Sequence, residues 1–347
     1  MSKFYRIGEN LNVVTKVYGQ AMKDRNPKPL QEVALKEAEA GVDFIDVNIG
    51  PARKGGEELM EWIVKAIQEV VPNVPLALDT SNVAAMEAGL KVHKGKAIIN
   101  SIMARPERMD GMMPLVRKYN ASMIGLLWGP EGMPRDEHER GMLTAEILAK
   151  AAEYDIPNED IWFDPIIAPL NIQQNQLMAD MEYMKMLQDM APGALSTCGL
   201  SNASNGVPDE LRPIINRTYV IMIQRCGMVS AIVDAFDDEL TAVVRACDTL
   251  IGKPRRRQRI VQTIAAANAA TIRCGEMISG RTIFSATFFA TFCSKPKAAT
   301  KLKNAAQSTA LRGVRTRVAT MVAMELAASL TPLKKSKTRA TAMIRKT

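Results

Sequence analysis

Carboxylates and carboxamides recur where short apolar runs of this chain give out: Glu9 with Asn10 and Asn12, Asp46 with Asn48, Asp79, Asn100, Asp164, Asn202, and Asp234 with Asp237. Asp and Asn often do no more than start turns and cap helices, as Asn82 is expected to do before VAAMEAGL. Asp46, Asp79, Asn100 and Asp164 differ, because they sit inside or at the end of an apolar run where no cap is needed. Such groups offer hydrogen bonds rather than covalent reactivity. A carboxylate accepts two N–H bonds from a flat heterocycle, and a carboxamide gives it one donor and one acceptor. Other chemistries are poorly provided for. The two histidines, His93 in KVHKGK and His138 in RDEHERG, have charged neighbours and read as surface residues rather than catalysts. Five cysteines (Cys198, Cys226, Cys247, Cys274, Cys293) form no C-x-x-C pair, which disfavours a zinc site or a disulfide framework and fits a reducing cytoplasm. The chain has no G-x-S-x-G, P-loop or kinase signature, so no metal of its own and no nucleophile elbow are expected.

The elements that position these groups alternate. Runs rich in β-branched and apolar residues fall at 4–9, 44–49, 76–79, 97–101, 122–127, 161–166, 195–200 and 230–235. Helical patterns lie between them. In GGEELMEWIVKAIQEVV the residues Leu59, Met60, Ile63, Val64, Ile67 and Val70 recur at three- and four-residue spacing, and AEILAKAAEY and RPIINRTYVIMIQRCG behave alike. Eight strand-then-helix units in about 250 residues fit a (β/α)8 TIM barrel, an α/β fold whose chemistry sits at the carboxyl ends of the strands. A doubly wound open sheet is the alternative, but no G-x-G-x-x-G follows the first strand. No run of ~18 apolar residues predicts a membrane span, and the start lacks an apolar signal core.

Pterins present both hydrogen-bonding edges, and here the residues meet a known pattern. IGENLN (7–12), IDVNIGP (45–51), LALDTSN (76–82), IINS (98–101), FDPIIAP (163–169), GLSNAS (199–204), RPIINRT (212–218) and AIVDAFDDEL (231–240) resemble, in order, the pterin-binding barrels. Within these the chain is similar to the methyltetrahydrofolate:corrinoid/iron–sulfur protein methyltransferases, relatives of the folate domain of cobalamin-dependent methionine synthase. The resemblance implies that Asp79, Asn100 and Asp164 hydrogen-bond the pterin ring and that Asn202 reaches N5, which carries the methyl group. It places Gly199, Ser201, Arg212, Asp46, Asn48 and Glu9 around them, with Arg212 alternatively pairing with Asp209 or Glu210. It further implies a folate substrate, cobalamin carried by a partner corrinoid protein, and a homodimer. An asparagine amide there could favour the protonated N5 as charge develops, so the enzyme needs no covalent nucleophile. The direction of transfer stays open. So does a dihydropteroate synthase-like activity, although that family's lysine loop and Ser-Arg pair are replaced here by DPIIAPLNIQQNQ and GLSNASNG. A non-catalytic pterin-binding protein is the third option.

The net charge of +8 hides a division. Residues 255–347 carry 19 Lys and Arg against 2 Asp and Glu, with no Asp, Tyr or Trp, whereas residues 1–254 carry 26 against 35. The expected organisation is therefore an acidic barrel, 1–254, and a basic Ala/Thr/Lys/Arg-rich extension, 255–347. The abrupt shift after DTLIGKP reads as a non-homologous or frame-shifted segment, ahead of a genuine extension or an interaction arm. The tail lacks interleaved aromatics for stacking on bases, which disfavours nucleic acid as a partner.

Overall fold

The structure is a computed structural model and describes residues 3–52 and 54–251. The expected basic extension, 255–347, lies outside the described residues. Strands and helices alternate: β1 (Tyr5–Gly8), α1 (Lys16–Lys23), α2 (Lys28–Glu39), β2 (Phe44–Asn48), α3 (Gly56–Val70), β3 (Leu76–Asp79), α4 (Val83–Val92), β4 (Ile98–Met103), α5 (Pro106–Lys118) and β5 (Ser122–Leu126). They continue with α6 (Glu137–Glu153), β6 (Ile161–Asp164), α7 (Leu170–Met190), β7 (Leu195–Ser196), α8 (Arg212–Arg225), β8 (Ser230–Val233) and α9 (Asp238–Ile251). All eight strands are parallel, in the order β7-β6-β5-β4-β3-β2-β1-β8. The last seam is narrow: Ile232 N–H donates to Cys198 O at 2.8 Å and Ser230 Oγ to Ser196 O at 2.7 Å. The sheet is thus a nearly closed (β/α)8 TIM barrel.

Local chemistry sets the helix boundaries. Asn82 caps α4 by accepting from Ala84 N (3.0 Å) and Ala85 N (3.2 Å), as its position predicts. Asp136 caps α6 in the same way. Met60, Ile63, Val64 and Ile67 form the fully buried stripe of α3. Two details depart from the sequence reading. An extra helix, α1, precedes α2, and β7 ends at Ser196 rather than near residue 200, because Leu200–Ser204 coils into a 3₁₀ turn.

The barrel interior has two storeys. Ile7, Ala77, Ile98, Ile124 and Trp162 form a separate inner core, packed against Tyr5, Phe44, Leu195 and Ile232. The Trp162 ring meets Phe44 edge-on at 5.6 Å and Tyr5 at 5.7 Å. Side chains alternate sides along a strand, so the next inward residue on each lies two further on. Those residues are Glu9, Asp46, Asp79, Asn100, Leu126, Asp164, Thr197 and Asp234. Seven of the eight are polar, and this one step turns an apolar plug into a polar ring.

Candidate functional site

The ring is hydrogen-bonded within itself yet left incomplete. Asn100 Nδ2 donates to Asp46 Oδ1 at 2.8 Å, and Asn48 Nδ2 donates to Asp79 Oδ2. Asn48 Oδ1 accepts from Gly50 N at 2.9 Å, which fixes its amide. Across the mouth, the Ser201 hydroxyl lies 2.6 and 2.8 Å from the two Glu9 oxygens. Asp164 Oδ1 accepts from Ile166 N at 2.8 Å. Ile166 has φ +69°, a left-handed conformation costly for a β-branched residue, which this close turn imposes. Among the described residues, Asp46 Oδ2, Asp79 Oδ1, Asp164 Oδ2 and Asn100 Oδ1 have no hydrogen-bond partner.

Burial makes these carboxyl groups reluctant to ionise. Burial pushes Asp79 up to about 7. Asp46 is raised well above the carboxylate range by its complete burial, helped by Asp79, while the Asn100 bond opposes the shift. Asp164 rises to about 6 through burial, against the pull of the Ile166 N–H and the Arg140 guanidinium. Glu9 is raised by burial and by Asp234, and lowered by Ser201 and Arg212. Buried acids of this kind, sharing one cleft, are the groups expected at a binding or catalytic site.

Asn202 sits differently. It is exposed, in the turn after β7, and its amide makes no side-chain hydrogen bond to a described residue. A Cβ on Gly199 would lie 2.9 Å from Asn202 Nδ2, so the glycine leaves room for this turn. Arg212, at the start of α8, donates from Nε to Ser204 Oγ at 3.3 Å and lies 4.0 Å from the exposed Asp209. It therefore meets both the loop of the site and its alternative ion-pair partner. Glu9, Ser201, Ser204 and Arg212 form one chain of contacts along the mouth.

Other strand-end polar residues do local work. Asp237 binds Arg217 in two-pronged fashion at 2.8 and 3.0 Å and caps α9 at Leu240 N. Asn12 closes a turn onto Val14 N. Asn10 ties the first strand to the last, donating to Asp234 Oδ1 at 2.8 Å and accepting from Ala235 N at 2.9 Å. His138 is exposed as expected, but His93 is half-buried, its Nε2 accepting from Leu76 N at 3.1 Å. Three residues were missed from sequence. Thr197 is fully buried with an unpartnered hydroxyl. Glu37 on α2 is fully buried, accepts from Asn10 N at 3.0 Å, and is pushed up to about 8 by burial despite that bond, with Asp234 and Glu9 adding to the shift. Arg140 on α6 is fully buried behind Asp164. A cavity of about 330 Å³ lies at the opposite end of the barrel, between Phe44, Pro75, Ile98 and Ser122. No carboxylate lines it, so the chemistry lies with the ring. Cys198, Cys226 and Cys247 are free thiols, and no helix among the described residues is long and apolar enough to cross a membrane.

Residues 8–234 match the family described as pterin binding enzyme. The chain belongs to this family. The matched span runs from the end of β1 to just past β8, and so contains every strand-end residue from Glu9 to Asp234. A methylcorrinoid:tetrahydrofolate methyltransferase of Eubacterium limosum is 25% identical over 251 residues, covering 72% of this chain and 92% of the relative. Two solved pterin-family barrels have the same fold. Dihydropteroate synthase of Xanthomonas albilineans, in complex with 7,8-dihydropteroate, superposes with a TM-score of 0.56 at 16% identity, covering 73% of this chain and 95% of the other. The synthase of Stenotrophomonas maltophilia gives 0.58 at 14% identity, with the same coverage.

Proposed function

We propose that this pterin-family enzyme moves the N5 methyl group between methyltetrahydrofolate and the cobalt of a corrinoid protein. The observation that carries the reading is the pairing of an unengaged Asn202 amide at the mouth with a buried ring whose Asp46, Asp79 and Asp164 carboxyl groups each keep one oxygen free. Those free acceptors suit the N–H groups of an aminopyrimidine, and the Asn100 oxygen suits a further N–H. The Eubacterium limosum relative supports the same choice of reaction. A dihydropteroate synthase-like activity has less support, because residues 165–176 contain no lysine and Ser201 is followed by Asn202, not arginine.

In this reading Asp79, Asn100 and Asp164 hold the pterin, Asp46 and Asn48 brace Asn100 and Asp79, and Glu9 holds the Ser201 hydroxyl at the mouth. Gly199 and Ser201 let the loop approach the ring closely, and Arg212 lines the mouth. When docked, the corrinoid partner supplies a nucleophilic cobalt that accepts the methyl group, or a methylated one that donates it. Toward cobalt, the N5–carbon bond breaks with its electron pair staying on N5, which is favourable only if N5 carries a proton. The Asn202 amide oxygen can accept from that N5–H, and its NH₂ can donate to the neutral amine. Such a preorganised group is worth on the order of 2 to 4 kcal/mol in the transition state, and in-line positioning supplies much of the rest. The partners are then a corrinoid protein and a second copy of the chain, in the cytoplasm.

The test is optical. The full chain is mixed without oxygen with methyltetrahydrofolate and cobalt(I) cobalamin, free or bound in a corrinoid protein, and the cobalt(I) band is followed. Enzyme-dependent loss of that band with formation of methylcobalt is expected. Bound folate with no conversion by either acceptor would overturn the reaction assignment.

A further inference from the structure

Behind the ring lies a charged cluster that faces no solvent. Arg140 and Asp180 are both fully buried, on α6 and α7, with Arg140 Nη2 2.6 Å from Asp180 Oδ1. Each of the three guanidinium nitrogens has an acceptor. Nη2 donates to Gln176 Oε1 at 2.8 Å, Nη1 to Asp136 O at 3.1 Å, and Nε to Pro165 O at 2.9 Å. Pro165 directly follows Asp164, and the next residue is the left-handed Ile166 whose N–H holds the Asp164 carboxylate. Arg140 thus grips the middle of the strained turn that aims Asp164.

Charge points the same way. The groups facing Asp164 from the surrounding elements are Arg140 on α6, Asp180 and Tyr183 on α7, and the Cys198 thiol after β7, with Tyr219 on α8 behind them against Asp180. Arg140 is the one cation among them, set against two carboxyl groups. Burial and the Asp164 charge push Asp180 up to about 8 against the pull of Arg140, which leaves part of the guanidinium's charge to act on Asp164. Burial also raises Tyr183, Tyr219 and Cys198, which stay neutral.

We propose that Arg140, anchored on α7 by Gln176 and Asp180, is a positioning residue for Asp164: it fixes the Pro165 carbonyl and keeps the carboxylate ionised and aimed into the mouth. The consequence for ligand binding rests on the reading of Asp164 as a pterin contact. The effect on Asp164 itself does not.

The experiment therefore reads both. The full chain is labelled with carboxyl-¹³C aspartate, the Asp164 signal is assigned with an Asp164→Asn variant, and its titration is followed alongside tetrahydrofolate affinity. Two variants are compared with the parent. Arg140→Lys keeps the charge but loses the fork that reaches Pro165. Arg140→Met combined with Asp180→Asn removes the guanidinium together with the carboxyl group packed against it, so neither is left buried without its partner and folding is preserved. Arg140→Lys is expected to keep the Asp164 midpoint near that of the parent while tetrahydrofolate affinity falls roughly tenfold, the cost of a misplaced charged acceptor. In the double variant the midpoint moves up by about one unit or more, and affinity at pH 7 falls about tenfold. An unmoved midpoint in the double variant, or full affinity in Arg140→Lys, overturns the positioning role. Shifted midpoints in a protein that binds no tetrahydrofolate at any pH would uphold Arg140 and overturn the pterin reading instead.

Discussion

The two ends of the barrel interior use the same strands, the same inward direction and different chemistry. At the amino end Tyr5, Phe44, Ile98 and Trp162 fill the axis with rings and branched chains. Two residues further, Asp46, Asn100 and Asp164 project inward from three of the same strands, with partners for only part of their hydrogen-bonding capacity. The lower storey has buried its apolar surface and, among the described residues, leaves the Trp162 Nε1 without a hydrogen-bond partner. The upper storey carries desolvated acids and free acceptors, a cost that a ligand with matching N–H groups relieves. Stability and function are thus separated by one step of the β-pleat, about 6.6 Å.

That separation can be broken from below. Trp162→Ala opens a hole in the plug and should cost about 3 to 5 kcal/mol of unfolding free energy, measured by urea denaturation. Folate affinity of the molecules that remain folded should change little. A large affinity loss without destabilisation would show that the two storeys are one unit. From above, Asn202→Ala should slow methyl transfer about 100- to 1,000-fold while tetrahydrofolate binding weakens only modestly and the unfolding midpoint stays put, because the exposed amide hydrogen-bonds to no described side chain. Stopped-flow traces of the cobalt(I) band check the rate, and full retention of rate would remove Asn202 from the mechanism.

How legible this division was depends on the element. The upper storey stood out because Asp46, Asp79, Asn100 and Asp164 interrupt apolar strands, where period-two alternation leaves few bland explanations. Helices hid more. Glu37 and Arg140 lie in sequences rich in charge and read as solvated faces. Yet Leu30, Val33, Ala34 and Glu37 share one helical stripe, as do Arg140, Thr144, Ile147 and Ala151, and both stripes are buried. The spacing was present in the sequence, but a single charged residue on an apolar stripe is normally taken for a rim. His93 hid for a related reason. Its lysine neighbours are exposed, whereas its own ring turns inward to Leu76 N. The early end of β7 left no signal, since LSTCGL has strand composition and only the 3₁₀ turn that follows ends the ladder.

The smallest effect is also the sharpest probe of the upper storey, because it follows its unrelieved acids directly. A carboxyl group whose folded value is raised binds its proton more tightly in the folded state than in the unfolded one. Its stabilising contribution is complete below the unfolded value, near 4, and is lost as pH rises through the folded value. With Asp79 at about 7 and Glu37 at about 8, the loss begins above about 4 and is complete for Asp79 just above 7 and for Glu37 just above 8. Between pH 6 and pH 8 the unliganded protein should therefore lose about 1.4 kcal/mol of stability through Asp79, most of it below pH 7, and a further ~2 kcal/mol through Glu37, since each pH unit between the unfolded and the folded value costs about 1.4 kcal/mol. At the acid end the opposite sign takes over, as surface carboxylates such as Glu87 and Glu139, lowered by bonds to Lys118 and Arg135, lose their charge. Asp79→Asn keeps an acceptor for Asn48 but removes the ionisation, so it should flatten the decline and leave the variant more stable than the parent at pH 8. Tetrahydrofolate affinity should fall in the same variant, which trades ligand binding for stability. Urea unfolding at pH 6, 7 and 8 measures it. A parent protein equally stable across that range would mean that the ring acids ionise as freely in the folded state as in the unfolded one, and the contrast between the two storeys would collapse.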